Sequence, residues 1–169
     1  MSSDVFNIVL ICSGNSCRSP IAEGLLKRKL PENLRDFVNI TSAGTLGING
    51  SPATPFAVQV AQEFGADISH HRSRGLTGEL IHESDVIFVL ANDHKKILLS
   101  HFPELSENIF LLKSFDRNHK KNYDENIYDP IGGSLETYRE CAAIINDEIN
   151  RIWPRLQMLI ESKLGKRNS

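Results

Sequence analysis

The chain has 169 residues, of which 40% are hydrophobic and 24% are charged, so one compact domain is expected and a multidomain assembly is not. Nineteen Lys and Arg residues face 21 Asp and Glu residues, and the formal net charge of -2 gives no basic excess for displacing counterions from nucleic-acid phosphates. We therefore expect no nucleic-acid partner.

The start of the chain predicts neither a signal peptide nor a membrane anchor. The apolar stretch Ile8–Cys12 is far shorter than the roughly 20 residues that a membrane span needs, and no charged segment or cleavage site precedes it. We expect a cytoplasmic protein without a membrane partner.

Strand and helix patterns alternate along the chain. Val5–Ile11 is a β-rich apolar run that stops at a turn-forming cluster, as a buried parallel strand does. Helical spacing follows, with Ser19 suited to the N-cap and Pro20 to the first helical position. Further strands are predicted at 38–42, 85–90 and 109–112, and further helices at 56–64, 93–101 and from 134 onward. This alternation predicts an α/β fold, a single domain with a four-stranded parallel sheet flanked by helices.

The last third of the chain combines a long loop with a long helix. Ser114–Gly133 is the longest stretch without periodicity, and long loops in compact domains are usually functional. The amphipathic helix that follows contains Pro154, which has no amide donor, so a kink or break is expected near Trp153. We assign residues 1–164 to the domain and 165–169 to a flexible tail.

One motif lies between the first strand and the first helix. It runs through Cys12, Ser13, Gly14, Asn15, Ser16, Cys17, Arg18 and Ser19. Such a loop can wrap around an oxyanion with its backbone N–H groups inward, helped by Gly14 where the chain curves, while the helix N-terminus adds partial positive charge. Arg18 can bind two phosphate oxygens, and the same positive surroundings favour the thiolate of Cys12, the competent nucleophile. The alternative is a buried structural cysteine beside a turn.

Hydrolysis of a phosphate ester also needs a proton donor for the leaving group and a base for water, and one carboxyl group can serve both steps. The long loop offers four candidates: Asp116, Asp124, Glu125 and Asp129. Only Asp129 has apolar residues on both sides, which favours retention of its proton, and a following proline that restricts its backbone. Without the Cys12 motif, an ordinary Asp-Pro turn would explain it equally well.

These motifs resemble those of the low molecular weight protein-tyrosine phosphatase family. The similarity rests on CSGNSCRSPIAEG at 12–24, TSAGT at 41–45, ISHHRS at 68–73 and YDP at 128–130. The resemblance implies a two-step mechanism with Cys12 as nucleophile, Arg18 as phosphate ligand and Asp129 as general acid. It also implies that residues 13–19 bind the phosphate and that Ser19 stabilises the thiolate. The network that supports the loop is then formed by Asn15, Ser19, Ser42 and His70, and no cofactor is required.

The resemblance implies a phosphorylated protein as substrate, and we expect a monomeric enzyme. Tyrosine-specific members of the family line the pocket mouth with aromatic rings, whereas this chain has Leu46 and Ile48 in one segment and Ile131 followed by two glycines in the other. The sequence DPIGGS and the polar Ser16 resemble the protein-arginine phosphatase branch, which has a threonine in place of Ser16. We expect phosphotyrosine, the commonest substrate of the family, with phosphoarginine as the alternative.

Two other activities fit the sequence less well. A thioredoxin-coupled arsenate reductase has a similar phosphate loop, but it relays a disulfide through two further cysteines after the third strand, and residues 91–102 contain none. A phosphate-binding module without turnover needs neither a nucleophile nor an acid, so the joint presence of Cys12, Arg18 and Asp129 argues against it.

The remaining cysteines and histidines are assigned smaller roles. An odd total of three cysteines argues against a disulfide scaffold. Cys17, on the same loop as Cys12, could form a reversible disulfide with it, while Cys141 lies near the apolar face of the last helix and is expected in the core. His71 has no assigned role. No metal site is expected, because four further histidines lack zinc-ligand spacing: His82, His94, His101 and His119.

Overall fold

A computed structural model describes residues 5–118 and 123–167 of the chain. Its sheet contains β1 (Phe6–Cys12), β2 (Val38–Gly44), β3 (Val86–Val89) and β4 (Ile109–Leu111). The four strands are parallel in the order β2-β1-β3-β4. The predicted α/β fold with a four-stranded parallel sheet is confirmed, and each strand end lies within two residues of its prediction.

Helices cover both faces of the sheet. Those of the described residues are α1 (Arg18–Lys29), α2 (Pro55–Glu63), α3 (Gly78–Glu83), α4 (Asn92–His101) and α5 (Leu135–Arg167). Short 3-10 helices lie at Glu32–Leu34 and Pro103–Asn108. The sequence did not predict α3, because six residues are too few to show a helical period. Within the described residues, no helix combines the length and the apolar character needed to cross a membrane.

The central strand β1 supplies two separate cores. Ile8 and Leu10 pack on one face of the sheet in a cluster with residues of α1, α2 and α5. Val9 and Ile11 pack on the other face with residues of α3 and α4. Since successive side chains of a strand point to opposite faces, a strand covered on both sides is a continuous apolar run. This explains why β1 shows no alternation in the sequence.

The helix α5 continues through Pro154, so the break expected near Trp153 does not occur. Ile152, Leu156 and Ile160 are all fully buried on either side of the proline. This packing holds the helix together although Pro154 cannot donate a backbone hydrogen bond. Residues 165–167, which the sequence assigns to the tail, belong to this helix, and residues 168–169 lie outside the described part.

The strand order of the sheet favours a binding site at the carboxyl end of β1. From β1 the chain moves to β2 on one side of the sheet, and β3 later joins on the other side. Where the strand order reverses at a central strand, a crevice opens at the carboxyl ends of the strands, and ligands bind there in open α/β sheets. Residues 13–17, which join β1 to α1, lie at this point.

Gly44, the last residue of β2, makes the closest approach between the sheet and this loop. A Cβ atom at position 44 would lie 2.5 Å from the carbonyl oxygen of Ser13 and 3.0 Å from the backbone nitrogen of Asn15. Both atoms belong to the main chain, so Gly44→Ala forces the loop to shift. We expect a loss of roughly 1–3 kcal/mol in the free energy of unfolding, measured by urea denaturation.

Gly78→Ala is the matched control for this substitution, because the nearest atom to a Cβ at position 78 is Nδ1 of His82 at 4.0 Å. Its stability should stay close to that of the wild type. Equal stability of the two variants would contradict the close contact at Gly44.

Candidate active site

The loop of residues 13–17 turns its carbonyl groups toward the surrounding protein. The carbonyl oxygens of Cys12, Ser13 and Ser16 accept hydrogen bonds from backbone N–H groups of neighbouring segments at 2.9, 3.0 and 2.9 Å. In the part of the chain that the structure describes, the N–H groups of residues 13–17 have no protein acceptor. The loop therefore presents a set of backbone donors of the kind that binds phosphate.

Arg18 adds further donors from the first turn of α1. Its side chain is buried, and its Nη1 atom donates to the carbonyl oxygen of Ile127 at 2.9 Å. Its Nη2 atom lies 3.3 Å both from Oγ of Ser13 and from Oδ2 of Asp129. Among the described residues, its buried Nε atom has no hydrogen-bond partner. A buried donor without an acceptor is costly, so this Nε fits an anionic ligand.

Cys12 ends β1, and its sulfur lies 2.9 Å from Oγ of Ser19. Because Oγ of Ser19 accepts a hydrogen bond from Nδ2 of Asn15 at 2.8 Å, its own proton is free to point at the sulfur. A hydroxyl that donates to sulfur stabilises the thiolate. The expected N-cap role of Ser19 is wrong, since α1 begins at Arg18 and Cys17 is its N-cap residue. Its hydroxyl is engaged with Asn15 and Cys12 instead.

Asn15 holds the loop in shape. It is fully buried and has a φ of 54°, in the left-handed region that asparagine tolerates better than most residues. Its Nδ2 atom donates to Oγ of both Ser19 and Ser42, at 2.8 and 2.9 Å. Its Oδ1 atom accepts from the backbone N–H of Arg74 at 3.0 Å. The left-handed backbone conformation of this loop therefore occurs at Asn15, next to Gly14, where we expect the chain to curve.

Two of these supporting contacts were missed by sequence reasoning. Ser42 donates to the carboxylate of Glu23 at 2.6 Å, so Glu23 fixes the far end of the network. Glu23 follows Ser19 by four residues and shares its helix face, a spacing that could have revealed it. Arg74 acts through its backbone N–H and thus leaves no signal in its residue type.

His71, and not His70, contacts the loop. Nε2 of His71 donates to the carbonyl oxygen of Asn15 at 2.8 Å, and its Nδ1 lies 3.8 Å from the carboxylate of Glu23. His70 is exposed, and within the described residues it has no hydrogen bond to the loop. The assignment of His70 as a supporting residue is wrong. Two adjacent histidines carry no signal for which of them turns inward, because the backbone of the segment decides it.

The loop that carries Asp129 crosses the end of β3. The backbone N–H of Ile127 donates to the carbonyl oxygen of Leu90 at 2.8 Å, and its own carbonyl oxygen accepts from Arg18. These two bonds place Asp129, which is 36% exposed, with its carboxylate 3.3 Å from Nη2 of Arg18. Of its apolar neighbours, Ile127 is buried whereas Tyr128 is exposed.

Two other carboxyl groups of this loop are occupied elsewhere. Glu125 accepts a hydrogen bond from the hydroxyl of Ser114, and Asp124 accepts from the backbone of Asn126. Among the candidates that the sequence offered, the structure therefore brings Asp129 to Arg18. Residues 119–122 of the loop, including His119, lie outside the described part of the chain.

His94 joins the site although sequence reasoning considered it only as a zinc ligand. It lies near the start of α4, is 2% exposed, and its Nε2 is 2.9 Å from Oγ of Ser13. Its Nδ1 accepts a hydrogen bond from the backbone N–H of Ala91 at 3.1 Å. Burial and the nearby positive charge of Arg18 lower the pKa of His94 to about 4, so the ring is neutral near pH 7.

All three cysteines are free thiols in this structure. The sulfur of Cys17 lies 3.4 Å from both Oγ1 of Thr54 and the hydroxyl of Tyr138. Burial, with the contact to Cys17, raises the pKa of Tyr138 to about 12. Burial also raises the pKa of the Cys141 thiol to about 12, so this cysteine stays protonated in the core, where we expected it. The described residues contain no group of three His, Cys, Asp or Glu side chains that could hold a metal ion.

A cysteine at the end of a central strand, beside unpaired backbone donors and a buried arginine, defines the class of cysteine-dependent phosphate-ester hydrolases. Residues 7–162 match the family model described as low molecular weight phosphotyrosine protein phosphatase. The chain belongs to this family, as its motifs indicated.

Relatives named for two activities are similar to this chain. A probable low molecular weight protein-tyrosine-phosphatase, EpsP of Ralstonia solanacearum, is 33% identical and covers 90% of this chain and 97% of its own length. A protein-arginine-phosphatase of Geobacillus stearothermophilus is 35% identical with the same coverage.

Solved structures of proteins named for each of these two activities are also similar to this chain. The YwlE arginine phosphatase from Geobacillus stearothermophilus has a TM-score of 0.79 at 34% identity, covering 90% of this chain and 94% of that chain. A low molecular weight protein tyrosine phosphatase from T. tengcongensis has a TM-score of 0.78 at 33% identity, covering 89% of this chain and 99% of that chain.

The two adjacent histidines provide a matched test of the loop support. His71→Ala removes a hydrogen bond to the carbonyl group of Asn15 and leaves that buried acceptor unpaired. We expect kcat/KM for an aryl phosphate to fall about tenfold and the protein to be less stable. His70→Ala removes an exposed side chain and should leave both quantities unchanged. A larger loss of activity in His70→Ala than in His71→Ala would restore the original assignment.

Proposed function

We propose that this chain hydrolyses phosphotyrosine in protein substrates through a phosphocysteine intermediate, with Cys12 as nucleophile, Arg18 as phosphate ligand and Asp129 as general acid. One observation carries the proposal. Arg18 lies between the loop that holds Cys12 and the carboxylate of Asp129, with its Nη2 atom 3.3 Å from Oγ of Ser13 and from Oδ2 of Asp129. In this proposal the anion ligand lies beside the proton donor and beside the loop that follows the nucleophile.

In the first step, the thiolate of Cys12 attacks the phosphorus atom and a P–S bond forms while the P–O bond of the ester breaks. Asp129 transfers its proton to the departing oxygen. The phosphoryl oxygens lie against the N–H groups of residues 13–17 and the guanidinium of Arg18, which neutralise the negative charge of the transition state.

In the second step, Asp129, now ionised, takes a proton from a water molecule that attacks the phosphorus. The P–S bond breaks, inorganic phosphate forms, and the electron pair returns to the sulfur of Cys12. The hydroxyl of Ser19, 2.9 Å from that sulfur, stabilises the departing thiolate. Atoms and electrons balance without a cofactor.

The acid role of Asp129 is tested by substitution. Asp129→Asn should lower kcat/KM for aryl phosphates by about 10²–10⁴-fold, with a smaller loss for good leaving groups because they need less protonation. Cys12→Ser should abolish turnover. Asp124→Asn, in the same loop, is the control and should keep the wild-type rate. An equal loss for all leaving groups in Asp129→Asn would exclude the acid role.

The preference for phosphotyrosine is supported by Tyr128, an exposed aromatic residue that lines the crevice next to Asp129, together with exposed aliphatic residues of the neighbouring segments. Leu46, Tyr128 and Ile131 are 65%, 71% and 60% exposed, and Ile48 is also exposed. Exposed apolar side chains on both loops can contact a phenyl ring. Phosphoarginine is the second candidate, favoured by the polar Ser16 in the phosphate loop and by the relative named protein-arginine-phosphatase.

A substrate panel separates the two candidates. Initial rates on phosphotyrosine, phosphoserine and phosphoarginine peptides at equal concentration should be highest for phosphotyrosine. The substitution Ser16→Thr, which adds a methyl group to the loop, should not reverse this order. A preference of the wild type for phosphoarginine would replace our first choice while leaving the nucleophile unchanged.

We also propose the reversible disulfide between Cys12 and Cys17. Hydrogen peroxide would oxidise the two thiols to one disulfide and be reduced to water, and Cys17 would have to leave its contacts with Thr54 and Tyr138. Intact mass after peroxide treatment should show the loss of two hydrogens in the wild type and in Cys141→Ser, but not in Cys17→Ser. The same loss in Cys17→Ser would exclude the pair.

A further inference from the structure

The hydroxyl of Ser13 and the buried imidazole of His94 have no part in the mechanism given above. On the basis of the proposed function, we propose that the hydroxyl of Ser13 is a further ligand of the substrate phosphoryl group, and that His94 is the positioning residue that fixes this hydroxyl as a donor.

The tautomer of His94 is determined by its neighbours. The backbone N–H of Ala91 donates to Nδ1 at 3.1 Å, so Nδ1 carries a lone pair and no proton. Since burial and Arg18 keep the ring neutral near pH 7, its single proton resides on Nε2. Nε2 lies 2.9 Å from Oγ of Ser13, and His94 is therefore the donor in this bond.

The hydroxyl of Ser13 then has no lone pair to spare. One lone pair accepts from Nε2 of His94, and the other faces Nη2 of Arg18 at 3.3 Å. Across residues 5–118 and 123–167, Oγ of Ser13 has no further hydrogen-bond partner. Its proton is left to donate, and its lone pairs cannot accept from a ligand.

The cavity beside Ser13 indicates which ligand its hydroxyl can reach. Ser13, Arg18 and Asp129 line one cavity of about 540 Å³, together with residues at the start of α4. Ser13 and Asp129 flank the same guanidinium nitrogen, so the serine hydroxyl lies on the side of the crevice where the ester oxygen departs. A phosphoryl oxygen held by Arg18 is the acceptor that this arrangement fits.

His94 makes two contacts that can be removed one at a time. Asparagine places its amide oxygen near the position of Nδ1, so His94→Asn keeps an acceptor for the N–H of Ala91 but loses the donor to Ser13. Glutamine reaches farther and can place its amide nitrogen near Nε2, so His94→Gln keeps the donor to Ser13. The pair separates the positioning role from a structural role at the start of α4.

Binding of inorganic phosphate, measured by titration calorimetry, tests the proposal without turnover. We expect Ser13→Ala and His94→Asn each to raise the Kd for phosphate about tenfold, the effect of one hydrogen bond to a charged group. The double variant should bind as weakly as either single variant, because His94 acts only through Ser13. His94→Gln should bind within a factor of about two to three of the wild type. His101→Asn, an exposed histidine of α4, is the control and should bind as the wild type does.

Two results would overturn the proposal. One is wild-type phosphate binding in His94→Asn, and the other is a double variant in which the two losses multiply. If either occurs while the wild type still hydrolyses aryl phosphates, the roles of Ser13 and His94 fail and the proposed function stands. If the wild type binds phosphate but does not hydrolyse aryl phosphates, the proposed function fails instead.

Discussion

The rest of the site depends on the hydrogen bonds of the Asn15 side-chain amide. The backbone N–H of Arg74 binds its oxygen, so both amide protons must point the other way, toward Ser19 and Ser42. Ser19 then accepts from Asn15 and has its own proton left for the sulfur of Cys12. One buried residue thus fixes the shape of the loop and the direction of the hydrogen bond that stabilises the nucleophile.

The parallel sheet explains why so many separate segments meet at this loop. The carboxyl ends of parallel strands lie at one edge, so the connections that follow β1, β2 and β3 converge there. The segment after β2 supplies His71 and the backbone of Arg74, and α4 after β3 supplies His94. The loop after β4 returns across β3 and brings Asp129 to Arg18. The carbonyl groups of the phosphate loop bind to these surroundings, which leaves its N–H groups for an anion.

The features of the site that the sequence predicts lie within one segment, whereas those that it does not predict are contacts between distant segments. Residue spacing within one segment predicts Cys12, Arg18 and the strand-loop-helix order, because these features depend on local backbone geometry. Contacts between distant segments were not predictable in the same way. The choice between His70 and His71 depends on the backbone path of one loop, and His94 reaches Ser13 because α4 follows β3, the strand next to β1. The break expected at Pro154 does not occur for a related reason, since packing along α5 outweighs one lost hydrogen bond.

The most direct test of the account is to isolate the covalent intermediate. A single turnover of an aryl phosphate, quenched in acid within milliseconds and examined by intact mass and peptide mapping, should show one added phosphoryl group on Cys12. Asp129→Asn should accumulate more of this species when the leaving group is good, because its breakdown then lacks a base. A wild type that turns over substrate with no phosphoryl group on Cys12 at any time point would contradict the central claim.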